Sequence, residues 1–230
     1  MPARAWGFES LLRHKKTMKS VIVLFSGGLD STTLLWLAKK EFDRVIAISF
    51  DYGQRHKVEL KYAKELAKLA SVEHLIVDVP SLKGITTSAL LEGGPEVPSE
   101  EYSNAPPITT VPMRNLIFLA IAGAYADALG IDTVGIAVHS LDTPYPDCRP
   151  EFITSAQSAL TAGSILTATK KIPMKIYAPF LGMTKREIAL LGKELGVPFE
   201  KTYSCYRGIE PPCGECATCK QREEALKGLL

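Results

Sequence analysis

The sequence predicts an α/β fold built on an open, doubly wound and mostly parallel sheet, and two observations carry that reading. Short apolar, β-branched-rich runs recur at residues 21–25, 45–50, 75–79 and 133–138. They are continuous rather than alternating, as in strands covered on both faces. Helix-length segments then alternate with them, at residues 32–40, 57–70 and 113–129, and β-α alternation implies right-handed crossovers on a parallel sheet.

Each element has its local justification. The stretch 113–129 is apolar almost all the way round, which marks a central, largely buried helix. Gly130 stands where a left-handed C-terminal cap is needed. Thr184-Lys185-Arg186-Glu187 has the spacing of a capping box and opens a helix to about residue 193. Residues 80–112 are irregular and rich in proline and glycine; a connection that long serves function, here as a lid.

The totals exclude several classes. The 230 residues make one large domain, or one domain with a small appendage. A net charge of +2 gives no large nucleic-acid footprint, so direct nucleic-acid binding is not expected. No run reaches the roughly 18 apolar residues that a membrane helix needs. The basic stretch near residues 13–16 has no apolar region before it, so it does not read as a signal peptide. Residues 1–17 are expected to be a disordered extension, with the body running from residue 18 to 204 and a metal-binding segment with a C-terminal helix from 205 to 230.

Ser26-Gly27-Gly28-Leu29-Asp30-Ser31 lies directly between the first strand and the first helix. Adjacent glycines allow a sharp turn and close approach of backbone N–H groups to a ligand. The helix start adds unpaired N–H groups and the positive end of its dipole, and Ser26, Ser31 and Thr32 add hydroxyls. The result is a phosphate cradle at the carboxyl edge of an open sheet, where ligands bind. Asp30 would repel phosphate, so it either holds the magnesium that accompanies ATP or caps the helix. The loop is neither a Walker A motif nor a dinucleotide fingerprint.

Of the five cysteines, Cys205, Cys213, Cys216 and Cys219 fall together in a C-x7-C-x2-C-x2-C pattern. Four thiolates close a tetrahedral zinc shell and leave no open position, so the expected zinc is structural, one per chain. A ferredoxin-like iron–sulfur site remains the alternative for such a run. Clustered thiols argue for a reducing cytoplasm. Cys148 stands apart and reads as a small buried side chain.

The loop at residues 26–31 resembles the pyrophosphate loop of the N-type ATP pyrophosphatases, which transfer AMP to a substrate oxygen. Four further segments narrow the resemblance. They are Phe50-Asp51-Tyr52-Gly53-Gln54, Val111-Pro112-Met113-Arg114-Asn115, the run from Tyr145 through Asp147 and Cys148 to Phe152, and Ser204-Cys205-Tyr206. In this order, with the loop and the cysteines, the chain from about Lys19 onward is similar to the 7-cyano-7-deazaguanine synthases. The resemblance implies an adenine nucleotide α-hydrolase-like fold with a zinc appendage held by four cysteines. It also implies a carbon–nitrogen bond-forming ligase that turns 7-carboxy-7-deazaguanine, ammonia and ATP into the nitrile in a homodimer.

Site assignments follow on that footing. Phe25, Ser26, Gly27, Gly28, Leu29, Asp30, Ser31 and Thr32 are expected to hold the ATP phosphates with Mg2+, with Asp51 and Gln54 lining the nucleotide pocket. Arg114 is placed to pair a carboxylate or the α-phosphate, Asn115 to read the guanine-like edge, and Asp147 either to accept from it or to cap the helix near Pro150. Lys185 reaches phosphate or stays solvated. Ser26, Asp30, Arg114 and Lys185 are the candidate catalytic residues, and neither His56 nor His139 receives a role.

Two other readings make different demands. A pyrophosphate-loop enzyme acting directly on tRNA needs an RNA-binding surface or an extra domain. A non-enzymatic ATP-binding α/β module makes no pyrophosphate and has no need of four clustered thiolates.

Overall fold

The computed structural model describes residues 18–79, 81–99 and 107–230. The expected extension at residues 1–17 and part of the expected lid lie outside the described residues. In chain order the elements are β1 (Ser20–Leu24), α1 (Leu29–Glu41), β2 (Arg44–Asp51), α2 (Glu59–Ala70), β3 (Glu73–Asp78), α3 (Ser81–Ile85), α4 (Arg114–Leu129), β4 (Thr133–Gly135), α5 (Pro150–Gly163), α6 (Ile165–Lys170), β5 (Lys175–Tyr177), α7 (Lys185–Glu194) and α8 (Ala217–Leu226).

The five strands pair in the order β3-β2-β1-β4-β5, every pair parallel. Successive side chains of a strand point to opposite faces, and β1 shows what each face meets. Val21 and Val23 join Leu34 and Leu35 of α1, Leu66 of α2 and Ile188 of α7. Ile22 and Leu24 join Leu119 and Ala122 of α4 and Ile153 of α5. Two cores on one sheet explain why β1 and β2 are apolar without alternation.

β3 departs from the expectation of burial on both faces. The strand order puts it at the edge, and its Leu75 and Ile76 are 36% and 40% exposed. β4 is also shorter than expected, because its partner β5 has only three residues. The last ladder bond runs from Ile136 N–H to Tyr177 O, 3.0 Å, and Pro179 soon follows, with no N–H to continue. Residues 136–139 are thereby released from the sheet. α1 begins at Leu29 rather than at Thr32, which places Asp30 inside its first turn, where a carboxylate suits the helix dipole.

The local stop and start signals hold. Gly130 caps α4 at φ +70°, and Thr184 and Glu187 form the reciprocal capping box of α7. The part of residues 80–112 that is described is tethered: Arg55 donates to the Gly94 and Pro95 carbonyls at 2.7 and 2.9 Å, and Gln54 bridges Leu91. Residues 88–95 are therefore strapped to the β2–α2 turn rather than hinged over it.

Burial sets the stability of the two strand types apart. Ile46 is fully buried in the central β2, so Ile46→Ala is expected to cost about 2–5 kcal/mol. Leu75→Ala on the exposed edge is expected to cost well under half of that. Urea unfolding of both variants checks it, and equal losses would contradict the assignment of β3 to the edge.

Candidate active site and metal centre

The sheet order reverses direction between β1 and β4, and a crevice opens outside the carboxyl ends of strands at such a switch point. A cavity lies there, lined by Phe25, Ser26 and Gly28–Ser31 after β1 and by residues 136–139 after β4.

The glycine turn is held by contacts that only glycine allows. Gly27 has φ +77°, and a Cβ there would stand 2.8 Å from the Ala63 backbone nitrogen, so a side chain meets both backbone strain and α2. Within the loop Ser31 Oγ accepts from Ser26 N–H at 3.2 Å and lies 3.0 Å from Ser26 Oγ. Two of the expected loop residues turn away from the cavity. Gly27 faces α2, and Thr32 is fully buried in α1; Ser26, Gly28, Leu29, Asp30 and Ser31 keep the wall.

Asp30 is not a helix cap, since Gly28 is the N-cap residue and no side chain caps α1. Its Oδ2 stands 3.4 Å from Lys185 Nζ and 3.7 Å from His139 Nε2. Its Oδ1 is buried with no hydrogen-bond partner among the described residues, an arrangement that fits a bound cation. His139 Nδ1 accepts from Leu141 N–H at 3.2 Å, so any single ring proton sits on Nε2. That edge also faces Asp142 at 3.5 Å, whose carboxyl is pushed up chiefly by burial, against the attraction of His139 and Lys185. Lys185 is brought here by the first turn of α7.

Across the cavity the walls are rings. Tyr52 and Phe118 meet edge-on at 5.4 Å, Phe118 stacks on Phe50 at 4.1 Å, and His56 lies 5.3 Å from Tyr206. Arg114 enters from the start of α4 and donates a long hydrogen bond to Tyr52 Oη at 3.4 Å. No carboxylate of the described residues forms an ion pair with it. Burial, with Arg114 and Arg55 nearby, lowers His56 to about 3. Glu59 is raised to about 8 by burial, against Gln54 and Arg114.

Four assignments change. Asp147 lies outside the cavity wall and serves the helix behind it: its Oδ2 accepts from Asn115 N–H at 2.9 Å, at the start of α4 rather than of α5. Asn115 does line the cavity, but its amide donates to Asp147 O and Cys148 Sγ at 3.0 and 3.2 Å. Its donors are thus spent on the fold. Gln54 is fully buried and exchanges bonds with Tyr52 N–H and Phe50 O at 2.8 and 2.9 Å. Asp51 pairs with Lys57. Neither Gln54 nor Asp51 lines the cavity, because each satisfies the turn that follows β2. Cys148 does border it, but burial and the neighbouring Asp142 and Asp147 push its thiol up, away from the thiolate a nucleophile needs.

His56, Glu59, His139 and Asp142 are among the lining residues that sequence reasoning did not assign. The signal was faint: an acidic residue five positions beyond Gln54 and two histidines just past strand ends.

The sulfur atoms of Cys205, Cys213, Cys216 and Cys219 lie within 4.8 Å of one another, with Cys213 and Cys219 at 3.9 Å. A tetrahedral thiolate shell with metal–sulfur bonds of about 2.3 Å needs sulfurs about 3.8 Å apart, so the four can hold a metal ion. Backbone N–H groups of Cys213, Glu215 and Cys216 point at the sulfurs at 3.3–3.4 Å, as suits charged thiolates. The cluster is packed against Tyr203, Ala89 and Val97, so it is joined to the body rather than hung from it.

An open parallel sheet with a glycine-turn phosphate cradle at its switch point defines a nucleotide-handling α/β protein. The NMN synthetase of Francisella tularensis shares that fold, with a TM-score of 0.52 at 14% identity over 90% of this chain and 77% of that one. The family model described as queuosine biosynthesis protein QueC matches residues 20–230. A 7-cyano-7-deazaguanine synthase of Aquifex aeolicus is 70% identical over 217 residues, 94% of this chain and 100% of that protein. Another, of Persephonella marina, is 60% identical over 215 residues, 93% of this chain and 95% of that one. The chain belongs to the QueC family.

Closed metal sites contribute directly to folding. Cys216→Ser is therefore expected to lose the bound ion and to melt well below the native protein. Unchanged melting and an unchanged response to chelator would contradict a metal at these thiols.

Proposed function

We propose that this chain makes 7-cyano-7-deazaguanine from 7-carboxy-7-deazaguanine, ammonia and ATP, as a carbon–nitrogen ligase that releases AMP and pyrophosphate. The observation that carries the reading is Arg114. A guanidinium stays charged when buried, and one left without a carboxylate partner beside a phosphate cradle calls for an anionic ligand. Its place between the aromatic walls suits the substrate carboxylate, and the backbone N–H groups at the α1 start suit phosphate.

The barrier is the leaving group. Ammonia cannot displace a carboxylate oxygen, whereas AMP on that oxygen leaves readily. The amide formed first has the same problem, so a second adenylation precedes loss of AMP to the nitrile. Lys185 and the loop hydroxyls Ser26 and Ser31 steady the charge that grows on the departing pyrophosphate. Asp30 Oδ1 would hold the magnesium of ATP; a bound divalent ion there supplies charge neutralisation between phosphates.

The four thiolates suit structural zinc, one per chain, and a reducing cytoplasm suits them. No helix among the described residues is long and apolar enough to cross a membrane. A homodimer is also proposed: the outward stripe of α4 carries exposed Leu116, Ala120 and Ala124, with exposed Met113 before it, an apolar face that a second copy would cover.

Purified protein given the acid, ammonia and ATP is expected to yield nitrile with two AMP and two pyrophosphate per turnover. Asp30→Asn and Ser26→Ala should cut kcat by about 10²–10³ while melting normally. Formation of ADP, or wild-type rates in both variants, would contradict the proposal.

A further inference from the structure

The cavity has two chemically different halves. Ser26, Asp30, Ser31, His139, Asp142 and Lys185 surround the phosphate cradle, while Tyr52, Phe118, Tyr145 and Tyr206 wall the other half around Arg114. Among the described residues three carboxylates line the cavity: Asp30, Asp142 and Glu59. Asp30 and Asp142 both gather on His139, and Lys185 joins Asp30. Glu59 is left as the carboxylate of the aromatic half.

Flat rings there suit a flat heterocycle. On the activity proposed above, that heterocycle is a deazaguanine, whose pyrimidine edge presents two adjacent donors, the ring N1–H and the 2-amino group. Burying them without acceptors is costly, and the two oxygens of one carboxylate match two parallel N–H donors. Of the polar residues nearby, Gln54 is committed to its own turn and Asp147 to the start of α4, and neither lines the cavity. Asn115 is a neutral amide whose donors are held by the Asp147–Cys148 segment, and it offers one acceptor oxygen where the edge has two donors. We propose that Glu59 reads the N1–H and 2-amino edge of the substrate and sets its specificity for guanine-type rings.

Glu59 is held ready for this. Gln54 Nε2 donates to its Oε1 at 3.1 Å, and His56 Nε2 stands 3.5 Å from the same oxygen. The contacts that hold the Glu59 carboxyl from Gln54 and His56 both fall on Oε1. The titratable groups facing it are Arg114 of α4 and Tyr52 and His56 of the β2–α2 turn. Of these only Arg114 is charged at neutral pH, since burial raises Tyr52 to about 12 and lowers His56 to about 3. With Glu59 itself raised to about 8, the carboxyl is mostly protonated at pH 7 in the free protein. Accepting two N–H bonds requires the carboxylate. Binding therefore expels close to one proton at pH 7, and affinity falls by up to about tenfold for each unit of pH below 8.

The test compares 7-carboxy-7-deazaguanine with its analogue lacking the 2-amino group. The wild type is expected to prefer the first by about 10²-fold in kcat/KM. Glu59→Gln, which keeps the size and the bond from Gln54, should compress that preference below about tenfold and leave the KM for ATP unchanged. A Glu59 that only supports the turn would lower both substrates by one common factor, and that result overturns the proposal. Should the variant not fold, calorimetry on the wild-type protein decides. Binding of 7-cyano-7-deazaguanine in two buffers of different ionisation enthalpy is expected to show about one proton released at pH 7, and none released overturns it. A wild type that binds with proton release but forms no nitrile supports Glu59 and sinks the activity instead.

Discussion

The backbone hydrogen bond from Tyr203 N–H to the Gly27 carbonyl, 3.0 Å, ties the phosphate loop to the segment that leads into the cysteine cluster. That segment is short and constrained at both ends. At one end Gly28 packs beside the Tyr203 carbonyl and Ser204 Oγ. At the other, Gly208 at φ +70° lies so close to the β2–α2 turn that a Cβ would stand 2.5 Å from Arg55 O. Between them Cys205 is anchored in the cluster and Tyr206 lies over His56. The run from Tyr203 to Gly208 thus fixes the phosphate cradle, an aromatic wall and one thiolate together. A metal ion held by the four sulfurs would for this reason be coupled to the shape of the cavity.

The electrostatics of the cavity follow from the same closeness. Burial keeps His56 neutral and Glu59 largely protonated, while Arg114 alone retains its charge in that half. An unpaired buried cation costs folding free energy, which is offset when an anion binds, and this is the ordinary logic of a site arranged for its ligand rather than for stability. The cradle half is organised differently, with Asp30 and Asp142 facing one imidazole edge and Lys185 beside Asp30. Lys185 offsets part of the negative charge there, and Asp30 Oδ1 is left without a hydrogen-bond partner among the described residues.

What was legible in the sequence is what is local. The glycine turn between β1 and α1, the capping box of α7, the cap at Gly130 and the C-x2-C-x2-C spacing each declare themselves within a few residues. The central strands read well because both of their faces are covered. β5 did not, because its short, half-buried run carries no periodicity. β3 read as buried because its composition is apolar, although the strand order leaves it at the edge.

Polar residues at the strand ends were the harder case. Asp51, Gln54 and Asp147 look like ligand-binding groups in sequence, yet each satisfies groups exposed where a strand stops or a helix starts. Glu59 sits in an ordinary helical run, and only the crossover of β2 and α2 brings it to face Arg114 and Tyr52. Local chemistry named the cradle and the four clustered thiols; topology decided which acid faces Arg114.

The central claim is that one cavity activates the same carbon twice by placing AMP on its oxygens. Substrate carrying heavy oxygen in both carboxyl positions tests this most directly, with the products read by mass spectrometry. The account requires two singly labelled AMP molecules for each nitrile, because each carboxyl oxygen departs with its own adenylate. Label recovered in inorganic phosphate, with ADP as the co-product, would show phosphoryl rather than adenylyl transfer and would contradict it.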